Sequence, residues 1–428
     1  MTWRTGGPAD PTIGSGLARQ TSRKRAARCV PRFALAVFAA FVTPLQAAEC
    51  ENSPRGLEQF HSAIRDIEAG ERSRPLTILH LGDSHISLDT FTRGLRTRWE
   101  ERFGSAGRGL MPGVPFQYYA PDGFNLAMTG PWSIASSLPA DASGPFGLQG
   151  FRASAETSDA VMTLEAAEPF SRIELELYGG PDTGAVLLKL DNAAALKLAT
   201  RMAKPGLLRI TVPAADARRA TLRPSGSGPV HLLGWAVARK GAGVRYDSYG
   251  IVAATAAITN RWDKDIVGAQ VAALKPDLVI FGYGTNEGYN NGLDVEAYSA
   301  LLGGFISLMA SAAPEASIAL LGPFDGARRG SGEACSGGWA TPPKLALLRD
   351  AQRALAEGRG GFFWDGAAAM GGRCSADDWA RASPPLMYAD RVHLRRKGAE
   401  RLSARLWEAL MTGLHGEGVC APTKPSPD

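Results

Sequence analysis

The sequence has little net charge and lacks clusters of metal ligands. Residues 1–48 hold seven basic residues and one acidic residue, and the rest of the chain holds 40 basic and 41 acidic residues. A chain this close to neutrality gives no case for nucleic-acid binding driven by overall charge. No Cys-x-x-Cys pair and no histidine cluster has the spacing of metal ligands, so we expect no metal site.

The apolar run near the N-terminus, Phe33 to Val42, is also short. It has about ten residues, whereas a membrane-spanning helix needs about 20. A basic stretch from Arg23 to Arg32 precedes it and the small residues Ala47 and Ala48 follow, which is the order of regions in a secretory signal. We therefore expect residues 1–48 to be a signal peptide and the mature protein to be periplasmic or secreted, without stable membrane insertion. An uncleaved membrane anchor is the alternative.

Cysteine is scarce, with five in 428 residues, and Cys29 lies in the predicted signal. The other four are an even number, which in an oxidising compartment suggests two disulfides. We expect Cys335 to pair with Cys374 and Cys50 to pair with Cys420. The two other pairings stay open, as do unpaired buried thiols.

The most informative stretch, residues 76–88 (LTILHLGDSHISL), is an apolar run that ends in Gly-Asp-Ser-His. This pattern predicts a buried strand followed by a tight turn. Ser84 would then lie at the carboxyl end of a strand, where α/β sheets bind ligands. A nucleophilic serine needs such a fixed position and a base within reach. Asp83 is expected to stabilise the turn, and the sequence indicates no particular role for His85.

A candidate base lies near the other end of the chain, where Asp390 and His393 precede an amphipathic segment. A carboxylate three residues before a histidine can hold the imidazole in the tautomer that accepts a serine proton. The alternative for this common spacing is an aspartate at a helix start and a surface histidine.

A third polar group, Asn286, ends another apolar run, residues 275–290 (KPDLVIFGYGTNEGYN). Its amide can donate a hydrogen bond into the crevice, or it can cap a helix or stabilise a turn. Chance is a poor explanation for three such groups at three predicted strand ends. Together Ser84, Asn286 and the Asp390–His393 pair predict nucleophilic catalysis.

These motifs resemble those of the SGNH/GDSL hydrolases. Gly82–His85 is similar to the first block of that family, Gly284–Glu287 to the third and Asp390–His393 to the fifth. The GDSH, GTNE and DxVH forms are most similar to those of the peptidoglycan O-acetylesterases, which remove acetyl groups from muramic acid. The resemblance implies a three-layer α/β/α flavodoxin-like sandwich that needs no cofactor. It also implies an acetylated glycan, peptidoglycan above all, as the substrate.

The second block departs from the family pattern, which has a glycine whose backbone N–H helps to bind the oxyanion. In YDSYGIVAATAA, Gly250 fits the first glycine and Ala253 stands where the second is expected. We expect the Ala253 N–H to serve, with Gly250 as the alternative, beside the Ser84 N–H and the Asn286 amide. A backbone N–H does not require glycine, but we expect Ala253 not to donate if the site needs a positive φ angle, which alanine adopts at a cost.

Residues 105–245 have a different texture, rich in Gly, Pro, Ser and Ala with short alternating apolar runs. Such strands predict a β-sandwich or jelly roll. The predicted strands are Ser171–Gly179, Gly184–Asp191, Gly206–Pro213 and Val230–Arg239. The peptidoglycan O-acetylesterases that the chain resembles carry a carbohydrate-binding-like β module at this position. Six aromatic residues early in the insert either stack on sugar rings, or form its core or its contact with the catalytic domain: Tyr118, Tyr119, Phe124, Trp132, Phe146 and Phe151.

The segments that flank the insert predict strands alternating with helices, and hence a parallel sheet covered on both faces. The predicted helices are 88–104, 265–276, 295–312, 342–358 and 394–414, and the predicted strands after the insert are 277–284, 316–323 and 360–366. We therefore divide the chain into a signal (1–48), a catalytic domain (49–104 and 246–420), an inserted module (105–245) and a disordered tail (421–428).

The expected reaction is ester hydrolysis through an acetyl-serine. Three alternatives stay open: hydrolysis of a polysaccharide or lipid ester, transfer of the acetyl group to a sugar hydroxyl, and a non-catalytic carbohydrate-binding protein. The intact set of Ser84, Asn286, Asp390 and His393 argues against the last.

Overall fold

The structure is a computed structural model, and it describes residues 55–87, 89–115, 121–330 and 332–415. Several predictions concern residues outside these ranges. They are the signal peptide, the Cys50–Cys420 pair, the C-terminal tail and the aromatic residues Tyr118 and Tyr119.

The strands are, in chain order, β1 (Leu76–Gly82), β2 (Met111–Pro112), β3 (Phe124–Thr129), β4 (Ser133–Ser136), β5 (Phe151–Ala155), β6 (Val161–Gly179), β7 (Ala185–Leu190), β8 (Leu196–Ala199), β9 (Gly206–Ser225), β10 (Val230–Ala238), β11 (Val244–Gly250), β12 (Leu278–Gly282), β13 (Ser317–Gly322), β14 (Arg328–Arg329), β15 (Glu333–Ala334), β16 (Trp339–Thr341) and β17 (Phe362–Asp365).

The helices are α1 (Glu58–Glu68), α2 (Ser84–Ser87), α3 (Phe91–Phe103), α4 (Lys264–Leu274), α5 (Thr285–Gly288), α6 (Val295–Ala312), α7 (Pro343–Glu357), α8 (Gly366–Met370), α9 (Ser375–Arg381) and α10 (Arg396–Met411). A 3₁₀-helix covers Ala256–Arg261. Helices α3, α4, α6, α7 and α10 coincide with the five predicted from the sequence to within a few residues.

A five-stranded parallel sheet lies at the centre of the catalytic part, in the order β11–β1–β12–β13–β17. Alternate residues of β1 face opposite layers, as strand geometry requires. Leu76 and Ile78 pack in one cluster with α1, α3 and α10, whereas Leu79 and Leu81 pack in another with α4, α6 and α7. The sheet therefore has helices on both faces, which confirms the predicted α/β/α sandwich.

Helix α6 is long and apolar enough to cross a membrane by length and composition alone. In the structure its apolar side packs into the core beside α4 and α7. The buried residues of this side are Tyr298, Leu302, Gly303, Phe305, Ile306 and Met309. Core packing therefore accounts for its composition.

Between α3 and β11 the chain forms an antiparallel β module, in the order β4–β5–β10–β6–β9–β7–β8, with β3 paired to β6 and β2 to β10. Strands β6 and β9 are 19 and 20 residues long, and their register shifts between Glu165 and Arg172. The C-terminal half of β6 pairs with β10 and its N-terminal half pairs with β3. The C-terminal half of β9 pairs with β7. The predicted strands 171–179 and 206–213 are therefore only halves of longer strands.

The aromatic residues of the insert that the structure describes belong to an apolar cluster. Phe146 and Phe151 are buried, and the partly buried Phe124 and Trp132 pack against the same cluster, which spans the module and the catalytic part. These four side chains therefore have a packing role, and none of them is an exposed platform for sugar rings.

Gln270 of α4 links the module to the catalytic part. It is fully buried, its Nε2–H groups donate to Gln149 Oε1 and Glu176 Oε2, and its Oε1 accepts from the Leu148 N–H. Burial raises the pKa of Glu176, and the hydrogen bond from Gln270 opposes this shift. The side chain thus satisfies three polar groups that water cannot reach.

We expect Gln270→Leu, which keeps the side-chain volume, to lower the free energy of unfolding by about 3 kcal/mol, because each buried polar group left without a partner costs about 1–3 kcal/mol. Gln59→Leu on the exposed side of α1 is the control and should change stability by less than about 0.5 kcal/mol. Urea unfolding measures both. Equal, small effects would show that the Gln270 contacts do not secure the module.

Candidate active site

The turn that carries Ser84 rests directly on the end of β11. The carbonyl of Asp83 accepts from the N–H groups of Ile86 and Ser87, which closes the short helix α2. A Cβ atom on Gly250 would lie 2.1 Å from Ser87 N and 2.4 Å from Asp83 O. Only glycine allows this close approach of two backbones, so Gly250 is needed to seat the turn.

The structure brings together the three residues predicted to form a triad. Ser84 Oγ lies 3.1 Å from His393 Nε2, although 309 positions separate them in the sequence. His393 Nδ1 lies 2.8 Å from Asp390 Oδ2. The second carboxylate oxygen of Asp390 accepts from the N–H groups of Val392 and His393, at 3.0 and 3.1 Å. This chain of hydrogen bonds can move a proton from the serine hydroxyl to the imidazole.

The environment of Asp390 keeps its carboxylate charged. Partial burial alone would raise its pKa, but the hydrogen bonds from the His393 ring and from two backbone N–H groups outweigh burial, so the pKa is lowered. A charged carboxylate at this position fixes the tautomer in which His393 Nδ1 donates and Nε2 is free to accept.

His85, for which the sequence indicated no role, bridges the nucleophile turn and the histidine loop. Its Nε2 lies 2.9 Å from the carbonyl oxygen of Val392, and its Nδ1 lies 3.2 Å from Asp83 Oδ1. Both partners are acceptors, so the two contacts together favour the protonated ring, in which both nitrogens donate. Burial alone would lower the pKa of His85. The hydrogen bonds to Asp83 and Val392 have the larger, opposite effect, so the pKa is raised.

The outer side of the histidine loop is held by a small disulfide-linked sheet, formed by β14, β16 and β15. The Arg391 guanidinium lies 3.9 Å from the centre of the Trp339 ring, and its Nε lies 3.3 Å from Asp377 Oδ1. A disulfide joins Cys335 of this sheet region to Cys374 at the start of α9, which confirms the predicted pairing. The loop is therefore fixed on both sides, by His85 on its inner side and by Arg391 on its outer side.

The Gly-Thr-Asn-Glu segment is hydrogen-bonded to the loop that follows β11. Asn286 Nδ2 donates to the carbonyl oxygen of Ala254 at 2.8 Å, and Glu287 Oε1 accepts from the Ala256 N–H at 2.7 Å. The amide of Asn286 has two N–H groups, so one remains to donate elsewhere. Half-buried Asn286 thus has a structural contact in addition to its predicted role as an oxyanion donor.

Ala253 lies in a turn that the Ala254 N–H closes by donating to the Ile251 carbonyl. Its φ angle is 62°, in the left-handed region that favours glycine. Alanine thus adopts the positive φ angle that we expected it to avoid at this position. The conformation costs an alanine about 1–2 kcal/mol, and it lies next to the carbonyl that Asn286 binds.

We expect Ala253→Gly to relieve this strain. The control is Ala257→Gly, at an exposed position of the following 3₁₀-helix, which should lower the free energy of unfolding by about 0.5–1 kcal/mol. The two glycine variants should differ by about 1 kcal/mol or more, with Ala253→Gly the more stable. Thermal or urea unfolding measures the difference. If both variants lose the same stability, residue 253 is not strained.

Glu287 is a buried acid close to the site. It is 4% exposed, and its Oε2 atom has no hydrogen-bond partner among the described residues. Burial raises its pKa to about 7, against the lowering effect of the Ala256 N–H and with a further upward contribution from Asp83. Nothing in the sequence signalled this shift except the position of an acid directly after a predicted strand end.

The pKa of Glu287 predicts a pH dependence of stability. The folded chain holds this proton more tightly than the unfolded chain, whose value is 4.5, so the free energy of unfolding falls as pH rises from about 4.5 to 7. The fall amounts to roughly 3 kcal/mol. Glu287→Gln should remove it, so that wild type loses stability relative to the variant between pH 5 and pH 8. A stability difference that does not change with pH would contradict the buried, raised carboxyl.

Two kinds of comparison connect the chain to known proteins. Residues 220–401, which include Asn286, Asp390 and His393 but not Ser84, match the model of the GDSL-like Lipase/Acylhydrolase family. No curated protein sequence matches the chain significantly. A solved structure of a peptidoglycan O-acetylesterase superposes with a TM-score of 0.71 at 22% identity, covering 84% of this chain and 97% of that one.

More distant similarity extends to family two carbohydrate esterases from Clostridium thermocellum and Cellvibrio japonicus. Each is 12% identical, with TM-scores of 0.29 and 0.27, covering 66% and 68% of this chain and 98% of each of those chains. These scores are too low to inform the fold. Residues 220–401 thus match the GDSL-like lipase/acylhydrolase family, and the chain shares its fold with a peptidoglycan O-acetylesterase.

Proposed function

We propose that the protein is a serine esterase that removes O-acetyl groups from a glycan of the cell envelope, most specifically peptidoglycan. The observation that carries the proposal is the hydrogen-bonded series Ser84, His393 and Asp390 at the carboxyl end of the parallel sheet. The match of residues 220–401 to a family of lipases and acylhydrolases supports esterase chemistry, and the substrate is our inference.

In the first step His393 Nε2 takes the proton of Ser84 Oγ as the oxygen attacks the acetyl carbonyl carbon. Asp390 stabilises the imidazolium that forms. The tetrahedral intermediate then collapses: the bond from carbon to the sugar oxygen breaks, and His393 returns the proton to that oxygen. The sugar leaves with a free hydroxyl, and the acetyl group stays on Ser84 as an ester.

The negative charge on the tetrahedral intermediate needs donors that are already in place. We assign the Ser84 N–H, the second N–H of the Asn286 amide and a backbone N–H of the loop at Ala253, with Gly250 as the alternative. Loss of one such donor typically costs about 2.7–4 kcal/mol of barrier lowering. Asn286 and Glu287 fix this loop by their contacts with Ala254 and Ala256, which supports the assignment.

A water molecule then resolves the acetyl-serine. His393 accepts a proton from the water as its oxygen attacks the acetyl carbon, and the Ser84 oxygen leaves with the proton that His393 returns. Acetate is released and the serine is restored. A sugar hydroxyl in place of this water would make the same chain an acetyltransferase.

Similarity to a protein of known substrate supports an acetylated glycan as the substrate. The protein that shares the fold over most of the chain acts on O-acetylated peptidoglycan by name. The predicted secretory signal would bring this enzyme to the same polymer.

The test compares acetate release from p-nitrophenyl acetate and from O-acetylated peptidoglycan by wild type, Ser84→Ala and Ser87→Ala. Ser87 is a buried serine of the same short helix and serves as the matched control. We expect Ser84→Ala to lower kcat by at least about 10³-fold on both substrates, since it removes the nucleophile, and Ser87→Ala to keep most of the activity.

Each outcome decides a separate part of the proposal. Release from the small ester alone would remove peptidoglycan as the substrate and leave the reaction class. Acetyl groups recovered on an added glycan would make the protein a transferase. Acetate release that does not depend on Ser84 would contradict the mechanism.

A further inference from the structure

One face of the β module is formed by alternate residues of five adjacent strands, β3, β6, β9, β7 and β8. Their partners Met162, Leu164, Leu188 and Leu222 point into the core. The residues between them therefore point outward, because successive side chains of a strand alternate. This face, which we call the outer face, presents Thr163, Thr221 and four cations to solvent.

The four cations are Lys189, Lys197, Arg219 and Arg223, and all are exposed. Register places them together: Leu187 pairs with Arg223 on one side and Lys197 on the other, and Lys189 pairs with Thr221. Since adjacent strands lie about 4.8 Å apart, the charges span three neighbouring strands, about 10 Å across the strand direction.

Few carboxylates neutralise this cluster. Glu165 pairs with Arg219 at 3.1 Å. Both oxygens of Asp191 are directed to the backbone, where they accept from the N–H groups of Arg218 and Arg219. Lys189, Lys197 and Arg223 form no ion pair with any residue in the described part of the chain. The outer face therefore keeps a net positive charge, because its four cations face only the carboxylates of Glu165 and Asp191.

Three of these cations line a groove of about 510 Å³ in the module. Its walls are Lys189, Arg219, Arg223, Thr221, Asp191, Asn192, Leu187 and Ala195. The charge of the whole chain agrees with this location. Residues 105–245 hold 14 basic and 11 acidic residues, whereas the rest of the chain after residue 48 holds 26 and 30.

We propose that the outer face of the module binds the anionic polymer on which the catalytic site works, through the carboxylates of peptidoglycan. Lys189 and Arg223 contact the carboxylates, and the hydroxyls of Thr163 and Thr221 hydrogen-bond to the sugar. The inference rests on the proposed function for the identity of the polymer, and it adds a binding site separate from the catalytic centre.

Chemistry favours a glycan over other polyanions. None of the described residues of the outer face is aromatic, so the face has no platform on which nucleic-acid bases could stack. It also lacks the broad apolar surface that anchors a protein in a lipid interface. Hydroxyl and amide groups between cations suit a ligand that alternates sugar hydroxyls with carboxylates.

The test measures co-sedimentation with peptidoglycan sacculi from which O-acetyl groups have been removed, so that binding is independent of catalysis. Wild type is compared with Lys189→Gln/Arg223→Gln and with the control Lys204→Gln/Lys240→Gln, which removes two exposed charges elsewhere on the module. At low salt we expect the first variant to bind about fivefold or more weakly, and the control to change binding less than twofold. Both variants should keep wild-type kcat/KM on p-nitrophenyl acetate.

A second arm uses sacculi whose carboxyl groups have been converted to amides. We expect wild type to bind these as weakly as the charge variant binds untreated sacculi. Undiminished binding by Lys189→Gln/Arg223→Gln, or to the amidated sacculi, would overturn the proposal. A competition arm adds double-stranded DNA or polygalacturonate, an anionic glycan, to the sacculi. Equal competition by the two polymers would also overturn the proposal, because the face would then bind polyanions without regard to sugar. Acetate release from O-acetylated peptidoglycan, measured separately, shows whether the proposed function stands or falls on its own.

Discussion

The 3.1 Å contact between Ser84 Oγ and His393 Nε2 is the interaction on which the account of this protein depends. Neither residue is held by its own element alone, since Ser84 starts a four-residue helix and His393 lies in a loop. The contact persists because buried His85 ties the Ser84 turn to the Val392 carbonyl, and because Arg391 is clamped between Trp339 and Asp377 on the opposite side. The parallel sheet supplies the location, and these polar clamps supply the distance.

The loop that follows β11 carries backbone strain, and a buried acid lies beside it. Ala253 adopts a left-handed backbone conformation, and the neighbouring Glu287 carboxyl is buried with one oxygen unpaired among the described residues. Features of this kind lower stability and cluster at functional sites, where the surrounding structure holds them in place. Here the holding contacts are the two hydrogen bonds from the Asn286–Glu287 segment to Ala254 and Ala256.

The sequence predicted the sandwich well because its strongest signals are local. Apolar runs that end in Gly at 82 and 282 mark buried parallel strands, and helix α6 matches its predicted range to the residue. The bends of β6 and β9 across the module were not predictable, since a register shift near Glu165 follows from pairing between distant strands. The role of His85 was missed for the same reason, because its partner Val392 lies 307 residues away. The φ angle of Ala253 is set by the turn and not by the residue type, so the sequence could not predict it.

Trapping the acyl-enzyme tests the central claim most directly. The protein is mixed with p-nitrophenyl acetate, quenched in acid within the first turnover, digested and mapped by mass spectrometry. The account predicts one added acetyl group, on the peptide that contains Ser84, and none on that peptide when His393 is replaced by alanine. An acetyl group on a different residue, or acetate released with Ser84 never modified, would contradict the claim that this serine and this histidine act together.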